Sequence, residues 1–134
     1  MGYGEALIGR DADLQAIGQL MTKHRLVTIV GPGGIGKTRL ARAIASERAG
    51  TYRQGVWWVD LAALRSAEQV APAIAQAGGI SPGEGNADAL LARALAQREA
   101  LVVLHNCGHL AHAVASAVDA IVEGARGMRV VATS

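Results

Sequence analysis

Leu26-Val27-Thr28-Ile29-Val30-Gly31-Pro32-Gly33-Gly34-Ile35-Gly36-Lys37-Thr38 is the stretch on which the reading of this 134-residue chain turns. Five apolar, mostly β-branched residues read as a buried strand, and the glycines that follow end it. Beyond Lys37, Leu40 and Ile44 recur at helical spacing among alanines, so a helix runs on towards Gly50. Strand, glycine-rich turn and helix are the context in which the spacing G-x-x-x-x-G-K-[ST] acquires a mechanical meaning. Glycines let the backbone turn its N–H groups inward as a nest for phosphate oxygens, and the helix adds its positive N-terminal end.

The candidate phosphate cradle therefore comprises Gly31, Gly33, Gly34, Ile35, Gly36, Lys37 and Thr38, with Lys37 reaching the β- and γ-phosphates of a nucleotide and the Thr38 hydroxyl ligating Mg²⁺. Arg39 and Arg42 follow, and either could approach phosphate; successive helix positions fan outward, so a solvated or partner-facing role is the default.

Outward from this loop, segments of two periods alternate. Upstream, Leu14, Ile17 and Met21 fall at helical spacing after Asp11, which reads as an N-cap. Downstream, Val56-Trp57-Trp58-Val59 is a second strand ending at Asp60, with the two tryptophans on opposite faces. A helix lies between Ser66 and Ala77 and stops at Gly78-Gly79. Ser66 with Gln69 resembles a capping box, whereas Pro72 suits a first turn, so two starts are open. Residues 80–86 form a loop in which Asn86 caps a helix carrying Leu90, Leu91 and Leu95. Leu101-Val102-Val103-Leu104 is the third strand, Leu110 to Val122 a helix ending at Gly124, and Val130-Val131-Ala132 the start of a fourth strand. Alternation of this kind predicts an α/β fold with a parallel sheet of about four strands and helices on both faces, a three-layer αβα core. No internal repeat is present.

Composition narrows the function. Hydrophobic residues make up 51% and charged residues 18%, with no Phe, so the core is aliphatic and some surface is covered in a longer protein. A net charge of +2, scattered and without interleaved aromatics, gives no nucleic-acid face within the chain. The single cysteine, Cys107, excludes an internal disulfide and fits a reducing compartment. The segment Met1-Gly2-Tyr3-Gly4-Glu5 lacks the basic start and apolar run of a signal peptide, and no apolar stretch approaches the ~18 residues needed to span a bilayer. The expectation is a cytoplasmic protein without a membrane partner.

Taken together, Ile8-Gly9-Arg10, the 26–41 block, Val56-Trp57-Trp58-Val59-Asp60-Leu61, Leu101 to Leu110 and Val130-Val131-Ala132-Thr133-Ser134 carry a resemblance over nearly the whole chain. The sequence resembles the signal-transduction ATPases with numerous domains (STAND), and most of all the NB-ARC-like ATPase domain of large bacterial LuxR-type transcriptional regulators. The resemblance implies a P-loop NTPase core that binds ATP or ADP and switches oligomerisation and an output domain. It places Ile8, Gly9 and Arg10 near the adenine, so that residues 1–25 form an adenine-side helical segment and 26–134 the sheet core. It makes Thr133 and Ser134 a sensor segment, followed in the family by an arginine that lies beyond this chain. It also implies that the chain stops before a fifth strand, a helical lid, a winged helix and a DNA-binding module. Other domains of the same protein are then its partners, and the strand at 26–30, left with one open edge, favours self-association.

One block departs from the family pattern. There the third strand ends in aspartate and continues Asn-Cys-Glu-His-Leu; here His105 and Asn106 occupy this second nucleotide motif (Walker B), and Gly108 replaces the glutamate. The aspartate holds Mg²⁺ or its water shell opposite the loop hydroxyl. A neutral imidazole brings no negative charge and prefers softer metals. Weakened Mg²⁺ binding and weak or absent hydrolysis are the expectation, with a conventional MgATP-hydrolysing enzyme and a scaffold that no longer binds nucleotide as the alternatives. Asp60 could supply part of the missing carboxylate function, although capping the next turn is its more ordinary use. His105, Cys107, His109 and His112 also present four zinc-type ligands within eight residues, a pattern largely absorbed by the family motif.

Overall fold

A computed structural model describes residues 6–29, 34–81 and 87–133, with side chains described from 14–29, 36–81 and 88–133. Four strands, β1 (Leu26–Ile29), β2 (Val56–Asp60), β3 (Leu101–His105) and β4 (Arg129–Thr133), form one sheet of order β1-β4-β3-β2, and every pairing is parallel. Among the described residues five α-helices connect and flank them: α1 (Ala6–Lys23), α2 (Gly34–Glu47), α3 (Val70–Ala77), α4 (Ala87–Leu95) and α5 (Ala111–Gly124). The expected αβα architecture is therefore the observed one.

Strand alternation divides the core into two layers. Leu101, Val103 and Val131 face α1 and α2, where they pack with Ile17, Met21, Leu40, Ala41 and Ile44. Val102, Leu104, Val130 and Ala132 face the opposite way, onto Ile74 of α3, Leu95 of α4 and Ile121 of α5. Leu101 to Leu104 have no exposed surface, which is what a continuous apolar run requires when both sheet faces are covered. Trp57 is buried in the α3–α5 layer and Trp58 packs at the margin of the α1–α2 layer, so the two rings do lie on opposite faces.

Local signals explain most boundaries. Both candidate starts near Ser66 are used. Gln69 Oε1 accepts from the backbone N–H groups of Arg65 (2.7 Å) and Ser66 (3.2 Å), opening a 3₁₀ turn over Ala67–Gln69, and Pro72 then occupies the first turn of α3. At the far end of α3, Gly79 adopts φ +73°, and the Ile80 and Gly79 N–H groups donate to the carbonyls of Ala75 and Gln76, both at 2.9 Å. This left-handed reversal satisfies the last helical carbonyls and needs glycine. One boundary differs from expectation: α1 begins at Ala6, so Asp11 lies within the helix and is not its N-cap. The apolar periodicity starts only at Leu14, but Ala6 and Leu7 are strong helix formers, and they carry the helix upstream of its buried stripe. Asn86, proposed to cap α4, lies outside the described residues.

Candidate functional site

The carboxyl ends of β3 and β4 and the first turn of α2 converge on one point. Parity explains why. His105 follows Leu101 and Val103 on the α2-facing side of β3, Thr133 follows Val131 on the same side of β4, and Trp58 shares that side on β2. Thr38, the fifth residue of α2, reaches this edge from the helix's N-terminal end. As a result the His105 imidazole is held between two hydroxyls, with Nδ1 2.9 Å from Thr133 Oγ1 and Nε2 3.5 Å from Thr38 Oγ1. Its ring lies against Trp58, centroids 5.4 Å apart and planes tilted by 43°, and the Arg42 guanidinium sits 5.1 Å from the Trp58 ring centre. Such contacts are individually worth about 0.5–1.5 kcal/mol and fix ring orientation more than they fix affinity.

Thr133 is only 1% exposed and its hydroxyl also accepts from the Asn106 N–H at 3.4 Å. Asn106 turns the chain away from the sheet at φ +63°, a left-handed conformation that asparagine tolerates better than most residues. Its side-chain Nδ2 donates to Asp60 Oδ1 at 3.2 Å, and the same carboxylate accepts from Ala62 N–H at 3.0 Å. Asp60 thereby caps the 3₁₀ turn Leu61–Ala63. The Ala62 N–H, above all, holds the Asp60 carboxyl below its usual range; Asn106 and His105 act in the same direction, against a smaller desolvation effect.

Lys37 is buried at 8% exposure, and Arg39 and Arg42 are exposed on α2, with Arg42 turned onto Trp58. Gly34 and Ile35 lie in the opening turn of α2, and Gly36 is half-buried. Gly31, Pro32, Gly33 and Ser134 lie outside the described residues. Ile8, Gly9 and Arg10 fall in the first turns of α1, whose side chains are likewise outside the description.

The donors at this site do not match Mg²⁺. That ion prefers an all-oxygen, near-octahedral shell that includes a carboxylate. Here the side chain facing the loop hydroxyl is an imidazole, and Asp60, the neighbouring carboxylate, is committed to a turn and to Asn106. The four-ligand zinc pattern is not assembled either: no group of three or more His, Cys, Asp or Glu able to hold a metal exists among the described residues. The Cys107 thiol is buried against the Leu104 carbonyl, and burial pushes its pKa up to about 11. His109 Nε2 meets the Leu64 carbonyl at 3.1 Å, and His112 is exposed.

Sequence reasoning marked His105, Thr38 and Thr133 one by one but missed Trp58 and Arg42 as members of the same cluster. The parity of Trp58, His105 and Thr133 was readable in the strands; the register that brings them level was not.

Relatives place this geometry in context. The chain is 41% identical over 117 residues to a protein of Mycobacterium tuberculosis named "Putative HTH-type transcriptional regulator", with an equal match in Mycobacterium bovis. That alignment covers 86% of this chain and 13% of the relative. An uncharacterized M. tuberculosis protein is 32% identical over 131 residues, covering 96% of this chain and 33% of the relative. The chain thus spans a small part of the relatives it matches. Among the described residues no helix is long and apolar enough to cross a membrane. Residues 11–119 match the NB-ARC domain, whose members are nucleotide-binding domains of the ATPase type, and with a parallel sheet, flanking helices and a G-x-x-x-x-G-K-T loop opening α2 this chain belongs to the NB-ARC family.

Proposed function

We propose that this domain is a regulatory switch that binds ATP or ADP and hydrolyses ATP weakly or not at all, because His105 stands where a metal-holding aspartate is required. The observation that carries this reading is the imidazole lodged between Thr38 and Thr133. Phosphate recognition depends on the loop amides and Lys37, none of which is changed, so binding persists. Hydrolysis needs charge neutralisation by Mg²⁺, and the site withdraws the carboxylate that would anchor that ion.

The same bridge gives the switch a mechanism. Thr38 stands on α2 at the cation position beside the nucleotide phosphates in this reading, and Thr133 ends the strand that leads to Ser134. A nucleotide that repositions the Thr38 hydroxyl removes one of the two partners holding His105, and the change is read at Thr133. The segment Ile8, Gly9 and Arg10 is assigned to the adenine end in this reading, and Arg39 to the neighbourhood of the phosphates. The name of one relative, an HTH-type transcriptional regulator, supports a role in transcriptional regulation; membership of the LuxR-type STAND group, a cytoplasmic location and action of the switch on other domains of a longer protein belong to the same proposal and rest on the sequence resemblance.

The test is turnover. The native chain is expected to bind ATP and ADP while showing no Lys37-dependent ATPase activity, and His105→Asp is expected to raise turnover in MgATP. Brisk, Lys37-dependent hydrolysis by the native chain would favour a conventional ATPase, and absence of any nucleotide binding would favour a scaffold.

A further inference from the structure

The mismatch with Mg²⁺ does not leave the cation position without a ligand; it changes which ion the position suits. We propose that Thr38 Oγ1 and His105 Nε2 form a mixed oxygen–nitrogen site that takes a first-row transition divalent cation of the iron, cobalt, nickel or zinc class in preference to Mg²⁺, with nucleotide phosphates completing the shell. The inference rests on the nucleotide-binding reading above and specifies the metal partner of that site.

Three observations carry it. The first is spacing. Thr38 Oγ1 and His105 Nε2 are 3.5 Å apart, at the outer limit of a hydrogen bond. Two ligands each about 2.1 Å from one ion, and roughly 90–110° apart around it, are separated by about 3.0–3.4 Å. A few tenths of an ångström therefore separate these two atoms from sharing an ion.

The second is the outer shell. Nδ1 lies 2.9 Å from the hydroxyl oxygen of Thr133, a nearly fully buried residue. With Nδ1–H donating to that oxygen, the Nε2 lone pair points at Thr38. Metal-bound histidines are held in this way, the second ring nitrogen anchored to an oxygen that sets tautomer and orientation. Trp58 against the ring, itself covered by Arg42, fixes the plane of the imidazole.

The third is donor chemistry. Imidazole favours cobalt, nickel and zinc over magnesium, which retains oxygen ligands and water. Among the described residues no group of three or more His, Cys, Asp or Glu could hold a metal, so the proposed site draws its remaining ligands from the nucleotide.

The experiment compares the affinity of the native chain for a fluorescent ADP analogue in EDTA, in Mg²⁺ and in Co²⁺. Co²⁺ is expected to tighten binding at least tenfold over EDTA and Mg²⁺ less than threefold. His105→Ala abolishes the Co²⁺ gain, and His105→Asp inverts the preference towards Mg²⁺. A native chain that prefers Mg²⁺, or a Co²⁺ gain that survives His105→Ala, overturns the proposal. Equal affinity in all three conditions overturns it too, through the opposite tautomer with Nε2–H donating to Thr38, while the nucleotide-binding reading stands. Absence of binding in every condition, EDTA included, removes both together. The native-chain comparison needs no variant, so it remains decisive if a substitution unfolds the domain.

Discussion

Thr133→Val keeps the shape of a β-branched side chain and removes one oxygen, so it isolates what that oxygen does. In the native structure Thr133 Oγ1 pairs with His105 Nδ1 at 2.9 Å and accepts from the Asn106 N–H at 3.4 Å, at a residue 1% exposed. The longer contact is weak, and its loss matters little. The shorter one leaves an imidazole nitrogen facing a methyl group in a partly buried setting. Leaving a buried donor or acceptor without a partner costs about 1–3 kcal/mol, and because His105 is only half-buried the lower half of that range applies, about 1–2 kcal/mol. For a domain of this size that lowers Tm by a few degrees. Thr133→Ser retains the hydroxyl and loses one methyl, a change of about 0.8 kcal/mol by area and a different one in kind. Urea unfolding of the three proteins reads stability, and tryptophan emission, recorded in a Trp57→Phe background so that Trp58 alone contributes, reads the imidazole that Trp58 leans on. Serine should preserve the native emission and valine should shift it. A valine variant as stable as the native chain, with unchanged tryptophan emission, would show that the His105–Thr133 contact positions nothing.

Other outcomes follow from separate parts of the fold. A Cβ added at Gly78 would lie 2.5–2.7 Å from three atoms of the buried Trp57 ring, so Gly78→Ala should destabilise by about 1–3 kcal/mol in thermal or urea unfolding. Cys107 is buried and its pKa is raised from 9.0 to about 11, so a thiol reagent should label it slowly at pH 8 and quickly in denaturant. The native state holds that proton where the unfolded chain releases it, so stability should fall as pH rises from about 9 to 11, and Cys107→Ala should flatten that slope in urea titrations. β1 pairs only with β4 among the described residues and shows Leu26 at 40% exposure, so Leu26→Lys should reduce concentration-dependent association in analytical ultracentrifugation. A native chain that stays monomeric at high concentration would remove that expectation.

The fold was legible because each signal in the sequence was local and strong. The apolar run at 101–104 could only be a strand covered on both faces, and Gly78-Gly79 after Ala77 could only be a helix stop. The start of α1 was not legible, since its first turns lie upstream of the apolar stripe. For the candidate site, the loop residues were readable from spacing and His105 from its departure from a known pattern. Their meeting was not, because it depends on β4 inserting between β1 and β3, a pairing between segments a hundred residues apart that no window of sequence contains. The Arg42–Trp58–His105 column is of the same kind: each member has an ordinary local reading, and only register makes them neighbours.

The account depends on a lysine ammonium and loop amides gripping a polyphosphate, and calorimetric titration of ADP into the native chain and into Lys37→Met tests that most directly. Methionine keeps much of the buried stem and removes the charge. Charge-assisted hydrogen bonds contribute about 1.5–3 kcal/mol, so the account predicts one-to-one binding by the native chain and a loss of roughly 10- to 150-fold in the variant. Native affinity undiminished in Lys37→Met, or no heat of binding from a folded native chain, would contradict it.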